Sequence, residues 1–94
     1  MSMSAVDYSG VLAELAEAAK AARDDPEIDY LQGKAYAGMG RTQDAVTALK
    51  RAIELNPLDP SPYYQLGLAY EELGQTELAR QTLERMQHLK QTSR

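Results

Sequence analysis

The feature that most constrains this sequence is an internal repeat with a period of 34 residues. When the sequence is shifted by this period, prolines, tyrosines, glycines and alanines coincide together. The coinciding pairs are Pro26 and Pro60, Tyr30 and Tyr64, Gly33 and Gly67, Tyr36 and Tyr70, Gly40 and Gly74, Thr42 and Thr76, and Ala45 and Ala79. Agreement among small, aromatic and turn-forming residues at one period indicates a chain built from repeated structural units.

Each repeat carries the signals of two helices joined by a tight turn. In the first repeat, Asp25 precedes Pro26, so a capping carboxylate stands before a proline at the first helical position. Gly40 is expected to turn the chain, and Thr42 is predicted to cap a second helix that ends before Pro57. Apolar residues recur at helical spacing throughout, and no segment alternates with the period of a strand. The second repeat follows the same plan, with a helix start at either Asp59-Pro60 or Ser61-Pro62.

The residues before the first repeat follow the same 34-residue pattern. Shifted by one period, Leu15 falls on Leu49 and Ala18 falls on Ala52. Residues 9–24 are therefore predicted to form the second helix of a truncated repeat, the alternative being an amphipathic helix that serves only as a lid. Residues 1–8 lack the features of a secretory signal and are expected to be a disordered or cloning-derived start.

The two repeats, residues 25–59 and 60–94, resemble the tetratricopeptide repeat, a helix–turn–helix unit of the same length. The resemblance implies an all-α, right-handed superhelical stack of helix–turn–helix repeats with about five helices. It is carried in the second repeat by Tyr63, Leu66, Gly67, Tyr70, Gly74, Ala79 and Leu83, and in the first by Gly33, Tyr36, Gly40, Ala45, Leu49, Ala52 and Pro57.

Some residues depart from the family pattern. Asp29 and Gln32 replace an aromatic residue and a leucine of the first repeat, so this part of the repeat is expected to meet solvent or a partner. Met86 replaces an alanine and Gln91 replaces the proline that would end the last helix. That helix is therefore predicted to continue through Lys90 as a terminal capping helix.

Composition excludes several classes of function. The net charge is −4, which argues against nucleic acid and anionic membranes as partners. The sequence has no cysteine and a single histidine, so neither a metal site nor a cofactor is expected. No stretch approaches the ~20 apolar residues that span a bilayer, and a cytoplasmic location is favoured.

The residues that could take part in catalysis are not arranged for it. The paired carboxylates Asp24-Asp25 and Glu71-Glu72 are adjacent in sequence, so they point in different directions on a helix and do not converge on one bond. His88 has no evident serine or cysteine nucleophile with which to pair. The chain is therefore not expected to be an enzyme.

The resemblance implies a different kind of activity, because tetratricopeptide arrays bind extended peptides along a concave groove lined by the first helix of each repeat. Two tyrosines at equivalent positions would stand side by side in that groove and form an apolar strip suited to binding. The alternative is that both rings fill the seam between adjacent helices. The residues that match the groove are Tyr30, Leu31, Lys34, Tyr64, Gln65, Leu68 and Glu71.

The sequence thus predicts a non-enzymatic module that binds a protein or peptide partner. The alternative is self-assembly, as a dimer or by head-to-tail association, because solenoids usually need about three repeats for stability.

Charge is also uneven along the chain. Residues 1–29 contain seven acidic and two basic residues, whereas residues 78–94 contain four basic residues and one acidic residue.

Overall fold

The computed structural model describes residues 7–92, and this part of the chain is almost entirely helical. No strand occurs within residues 7–92, and the helices form an all-α helical-repeat superhelix, as the sequence predicts. The five helices are α1 (Tyr8–Ala21), α2 (Pro26–Gly38), α3 (Thr42–Leu55), α4 (Pro60–Glu72) and α5 (Thr76–Thr92).

The first helix of each repeat begins with the same hydrogen bond. The carboxylate of Asp25 accepts from the backbone N–H of Glu27 at 2.9 Å, and that of Asp59 accepts from the N–H of Ser61 at 3.0 Å. These bonds satisfy donors that the first helical turn leaves free. Of the two starts that the sequence offered for α4, the structure adopts Asp59-Pro60.

The predicted cap at Thr42 is wrong. Thr42 is the first helical residue of α3, and the preceding Arg41 makes no capping side-chain hydrogen bond within the described chain. Arg41 instead forms an ion pair with Asp44, with 2.7 Å between Nη2 and Oδ2. An acidic residue in the first turn also complements the positive end of the helix dipole, so α3 is stabilised without a threonine cap.

Glycines turn the chain between the two helices of each repeat, as predicted. Gly40 has a φ of +82° and Gly74 a φ of +77°, values that favour glycine because it has no Cβ. The residue after each glycine makes the same backbone hydrogen bond. The N–H of Arg41 donates to the carbonyl of Tyr36, and the N–H of Gln75 donates to the carbonyl of Tyr70, both at 2.9 Å.

Two other glycines let the helices of one repeat approach closely. A Cβ on Gly33 would lie 2.6 Å from Cδ2 of Leu49, and one on Gly67 would lie 2.5 Å from Cδ2 of Leu83. The leucine of the second helix therefore packs directly on the backbone of the first. The core that results joins α3, α4 and α5 and contains Ala45, Val46, Leu49, Leu66, Ala69, Tyr70 and Ala79.

The helix α1 begins one residue earlier than predicted and differs in burial from the others. Asp7 caps it by accepting from the N–H of Gly10 at 2.9 Å. The ring of Tyr8, expected to belong to an unstructured start, lies against Gly38 at the end of α2. Residues 1–6 of that predicted start lie outside the described residues. The assignment of this helix as half of a repeat stays a prediction.

The last helix, α5, continues through Thr92, as the loss of the proline predicts, and carries a charged outer face. Nη1 of Arg80 lies 2.8 Å from Glu84, and Nη2 lies 2.5 Å from Glu77. The hydrogen bond from Arg80 lowers the pKa of Glu77 below its usual range. Arg80 occupies the position that corresponds to Val46 of α3, which is buried in the core. At this position of α5, the two ion pairs of Arg80 therefore stand in place of the apolar contact that Val46 makes in α3.

Candidate functional site

Tyr30 and Tyr64 lie on the first helices of the two repeats and line the same cavity, of about 350 Å³. We call it the tyrosine cavity. Tyr64 is 47% exposed, so its ring faces outward rather than filling a helix seam. Tyr30 is half-buried and also packs against the core. The two equivalent tyrosines therefore differ in burial, one being a surface group and the other partly a packing group.

The last helix supplies the other wall of the tyrosine cavity, through Met86 and Lys90 of α5. The family resemblance does not indicate these two residues, because the groove that it implies lies on the first helix of each repeat. A signal was present: Met86 stands where the first repeat has Ala52, which is fully buried. A longer side chain in that place reaches beyond the small space available to alanine and adds a flexible apolar surface.

Leu31 and Lys34 belong mainly to a second cavity, of about 250 Å³, between α1 and α2. Its remaining lining consists of Tyr8, Val11, Leu15 and Ala35. Nζ of Lys34 lies 5.5 Å from the centroid of the Tyr30 ring, within the range of a cation–π contact. Lys34 therefore lines the cavity between α1 and α2 and also contacts Tyr30, a residue of the tyrosine cavity.

Gln65, Leu68 and Glu71 continue along α4 from Tyr64. Leu68 is 37% exposed, Glu71 is exposed, and Gln65 is half-buried. Together with Tyr64 they give α4 an outward surface that changes from aromatic through apolar to acidic. The predicted groove residues thus form three groups: the tyrosine pair, the Leu31–Lys34 pair against α1, and the α4 surface.

The chemistry of the tyrosine cavity suits a ligand with apolar groups and hydrogen-bonding atoms. Aromatic rings and a methionine offer large apolar surfaces, and the phenol hydroxyls can donate or accept. The pyrrolidine of Pro60 and the exposed Ser61 complete the wall at the start of α4. Within residues 7–92, no three His, Cys, Asp or Glu side chains gather in a group that could hold a metal ion.

A buried acidic group lies elsewhere, on the side of α2 that faces α3. Asp29 was expected to meet solvent or a partner, and this expectation is wrong, because the residue is only 8% exposed. Its carboxylate is covered by Arg51 of α3. Desolvation raises its pKa, the positive charge of Arg51 opposes that rise, and the nearby Asp25 and Asp24 add to it.

Two family models match the chain. A TPR repeat model covers residues 33–74, and a tetratricopeptide repeat model covers residues 60–90. The chain belongs to the tetratricopeptide-repeat family. The matches include the turn glycines Gly40 and Gly74, the packing glycines Gly33 and Gly67, and Tyr64, whereas Tyr30 lies before the first matched residue. Members of this family are generally non-enzymatic modules for protein–protein interaction, and this is the broad class of function that the repeats support.

Solved structures of MamA share the fold. MamA MSR-1 superimposes with a TM-score of 0.86 at 23% identity, over 93% of this chain and 50% of the MamA chain. A crystal structure of MamA gives 0.84 at 29% identity, over 88% and 48%. MamA 41-end from Desulfovibrio magneticus RS-1 gives 0.86 at 23% identity, over 92% and 49%.

The tetratricopeptide-repeat chain therefore spans about half the length of the MamA chains that it matches. The comparison with curated proteins gives no match. Over the described range 7–92, none of the helices combines the length and the apolar character needed to cross a membrane.

Proposed function

We propose that this chain is a non-catalytic interaction module that binds a peptide or a partner helix across the tyrosine cavity. The observation that carries the proposal is the exposed ring of Tyr64 beside Tyr30 in one cavity with Met86. An exposed tyrosine among apolar neighbours is the composition that dominates binding energy at protein interfaces. The family membership of the repeats supports the same class of function.

The arrangement suggests how a ligand would be held. An apolar side chain of the ligand would pack between the Tyr64 ring and Met86, while the phenol hydroxyls bond to its backbone. Lys34, beside Tyr30, would favour an acidic group at one end of the ligand. Glu71, further along α4, would favour a basic group at the other. The expected ligand is thus a peptide with an apolar centre and opposite charges at its ends.

Selection from a random peptide display library with the full chain tests this function. The enriched peptides should bind Tyr64→Ala about tenfold more weakly than wild type, which corresponds to about 1.4 kcal/mol. Leu78→Ala is the matched control, since Leu78 is 43% exposed on α5 and does not line the tyrosine cavity. Equal binding of the peptides to Tyr64→Ala and wild type would exclude the tyrosine cavity as their site.

Self-assembly is a second candidate, favoured by the uneven charge of the two ends. α1 packs at one end of the stack and α5 at the other, so the acidic start of one molecule would face the basic end of the next. Contacts of this kind are heterologous and form open chains or rings. Some of the charges are already paired within the chain, Lys20 with Glu17 and Arg80 with Glu77.

Light scattering across salt concentrations distinguishes the two candidates. Head-to-tail association through charge should be present at low salt and fade near about 0.5 M, where screening shortens to a few ångströms. A particle mass that stays constant, or rises with salt, would exclude assembly of this kind.

The cytoplasmic location favoured by the sequence stays part of the proposal.

A further inference from the structure

The apolar face of α1 lacks the cover that the corresponding face of α3 has. Val11, Leu15 and Ala18 stand one repeat before Ala45, Leu49 and Ala52. The three α3 residues are 0% exposed, whereas Val11 is 38% exposed, Leu15 is half-buried and Ala18 is exposed. None of the 14 residues of α1, all within the described range, is buried. The same positions of the repeat are therefore buried in α3 and at least partly exposed in α1.

The difference follows from the neighbours of the two helices. α3 packs against α2 on one side and α4 on the other, whereas α1 packs, among the described helices, against α2 alone. The contact of α1 with α2 corresponds to that of α3 with α4. None of the helices described in residues 7–92 makes with α1 the contact that α2 makes with α3, in which the first helix of a repeat covers the second.

Two helix pairs in the same molecule show what covers such a face. Leu49 packs on Gly33 of α2, and Leu83 packs on Gly67 of α4. Leu15 is the third leucine of this series, and it lines the cavity between α1 and α2 that also contains Val11 and Leu31. A helix that covers Leu15 in the same way must present a glycine or alanine to it, because a larger residue would overlap the leucine.

Charge adds a second requirement. Glu17 stands one repeat before Arg51, whose Nε lies 3.4 Å from the carboxylate of Asp29, four residues before Gly33. The charge at this position of α1 is the opposite of that in α3. A covering helix would therefore be matched by a lysine or arginine, rather than an aspartate, four residues before its small residue. Within residues 7–92, Glu17 pairs with the exposed Lys20 on its own helix, an arrangement of little energetic value.

We propose that Val11, Leu15 and Ala18, which we call the α1 face, dock an amphipathic helix from a partner protein. That helix presents a glycine or alanine to Leu15 and a lysine or arginine to Glu17. The matching glycines of a folded second copy, Gly33 and Gly67, are already covered by Leu49 and Leu83, so the occupant is assigned to a partner protein. The α1 face is separate from the tyrosine cavity and gives the chain a second interaction surface.

The test uses a labelled synthetic peptide and the full chain. The peptide has the sequence of residues 59–75 with Tyr63→Lys, which places a lysine four residues before its glycine. Its matched control carries Gly67→Leu in addition. Fluorescence anisotropy should show saturable binding of the first peptide and binding at least about tenfold weaker for the second, because the added side chain would overlap Leu15.

Variants of the protein locate the peptide. Val11→Asp should weaken binding of the lysine peptide about tenfold or more, while Leu78→Asp, on an equally exposed residue of α5, should leave it unchanged. Glu17→Lys should also weaken binding, and more so at low salt. Circular dichroism melts establish that the variants fold, and the comparison of the two peptides on wild-type protein does not depend on any variant.

Three outcomes would overturn the proposal. The first is equal binding of the glycine and leucine peptides, or no binding of either. The second is binding that Tyr64→Ala removes and Val11→Asp does not, which would assign the peptide to the tyrosine cavity. The third is a dimer of the unliganded chain that Val11→Asp dissociates, which would make a second copy the occupant of the α1 face.

Discussion

The guanidinium of Arg51 covers the buried carboxylate of Asp29, with 3.4 Å between Nε and Oδ2. The same side chain donates a hydrogen bond from Nη2 to the carbonyl of Arg23 at 3.4 Å and lies 3.7 Å from Asp24. One arginine of α3 thus connects α2 with the loop after α1. Burial nevertheless outweighs this arginine and raises the pKa of Asp29, because the buried site withholds hydration that the ionised carboxylate would have in water.

The raised pKa of Asp29 predicts a dependence of stability on pH. An acid with a raised pKa holds its proton more tightly in the folded state, so its ionisation opposes folding above that pKa and has no effect below the unfolded value. Wild type should therefore gain stability relative to Asp29→Asn as the pH falls from about 7 to about 4. Urea unfolding of both proteins measures the difference, and a relative loss of wild-type stability over this range would contradict the assignment.

The close packing at Gly33 and Gly67 predicts that a larger side chain at either position lowers the stability of the fold. Gly67→Leu should lower the free energy of unfolding by about 1–3 kcal/mol, since the new side chain must displace Leu83. Ala37→Leu is a control on the exposed surface of α2 and should change the free energy by less than about 0.5 kcal/mol. Urea titration compares the two, and a stabilised Gly67→Leu protein would show that α4 and α5 are not in close contact.

The unequal burial of the two tyrosines predicts unequal effects on stability. Tyr30→Ala should lower the free energy of unfolding by about 1.5–2.5 kcal/mol, half the usual effect for a fully buried aromatic residue, because the ring packs partly on the core. Tyr64→Ala should change it by less than about 0.5 kcal/mol, since the ring is exposed. Similar losses for both variants would indicate that both rings are packing residues.

Removal of the first helix should destabilise the rest. Leu12 and Leu15 are half-buried against α2, so deletion of residues 1–24 should cost about 1.5–3 kcal/mol, half the value for two fully buried leucines. The deletion also removes two partners of Arg51. The double substitution Leu12→Ala and Leu15→Ala should reproduce most of the loss. An unfolding midpoint that neither change lowers would mean that α1 contributes nothing to the fold.

Much of the fold could be predicted because it depends on local chemistry repeated in register. Asp-Pro starts a helix, glycine at Gly40 and Gly74 permits the turn, and Gly33 and Gly67 permit close packing, all from residues near one another in sequence. The length of α5 was also predictable, since it follows from the absence of a proline at Gln91. The repeat made each of these signals visible twice.

What could not be predicted depends on residues distant in sequence. The polarity of Asp29 suggested solvent, and only the fold brings Arg51 of the next helix over it. The groove that the family implies lies on first helices, so it gives no reason to expect Met86 of α5 in the site. Tyr8 was assigned to an unstructured start because its contact with Gly38 spans two elements. Each of these contacts joins residues of different elements that the 34-residue repeat does not pair.

The charged outer face of α5 has a consequence for how a protein of this kind can change in length. A further repeat added after Thr92 would have to bury Arg80 and separate it from Glu77 and Glu84, at a cost in desolvation. A duplicated unit inserted between the two existing Asp-Pro junctions would meet apolar faces on both sides. Growth of the array by gene duplication is therefore expected to occur between the two repeats, where both neighbouring faces are apolar, rather than against the charged face of α5.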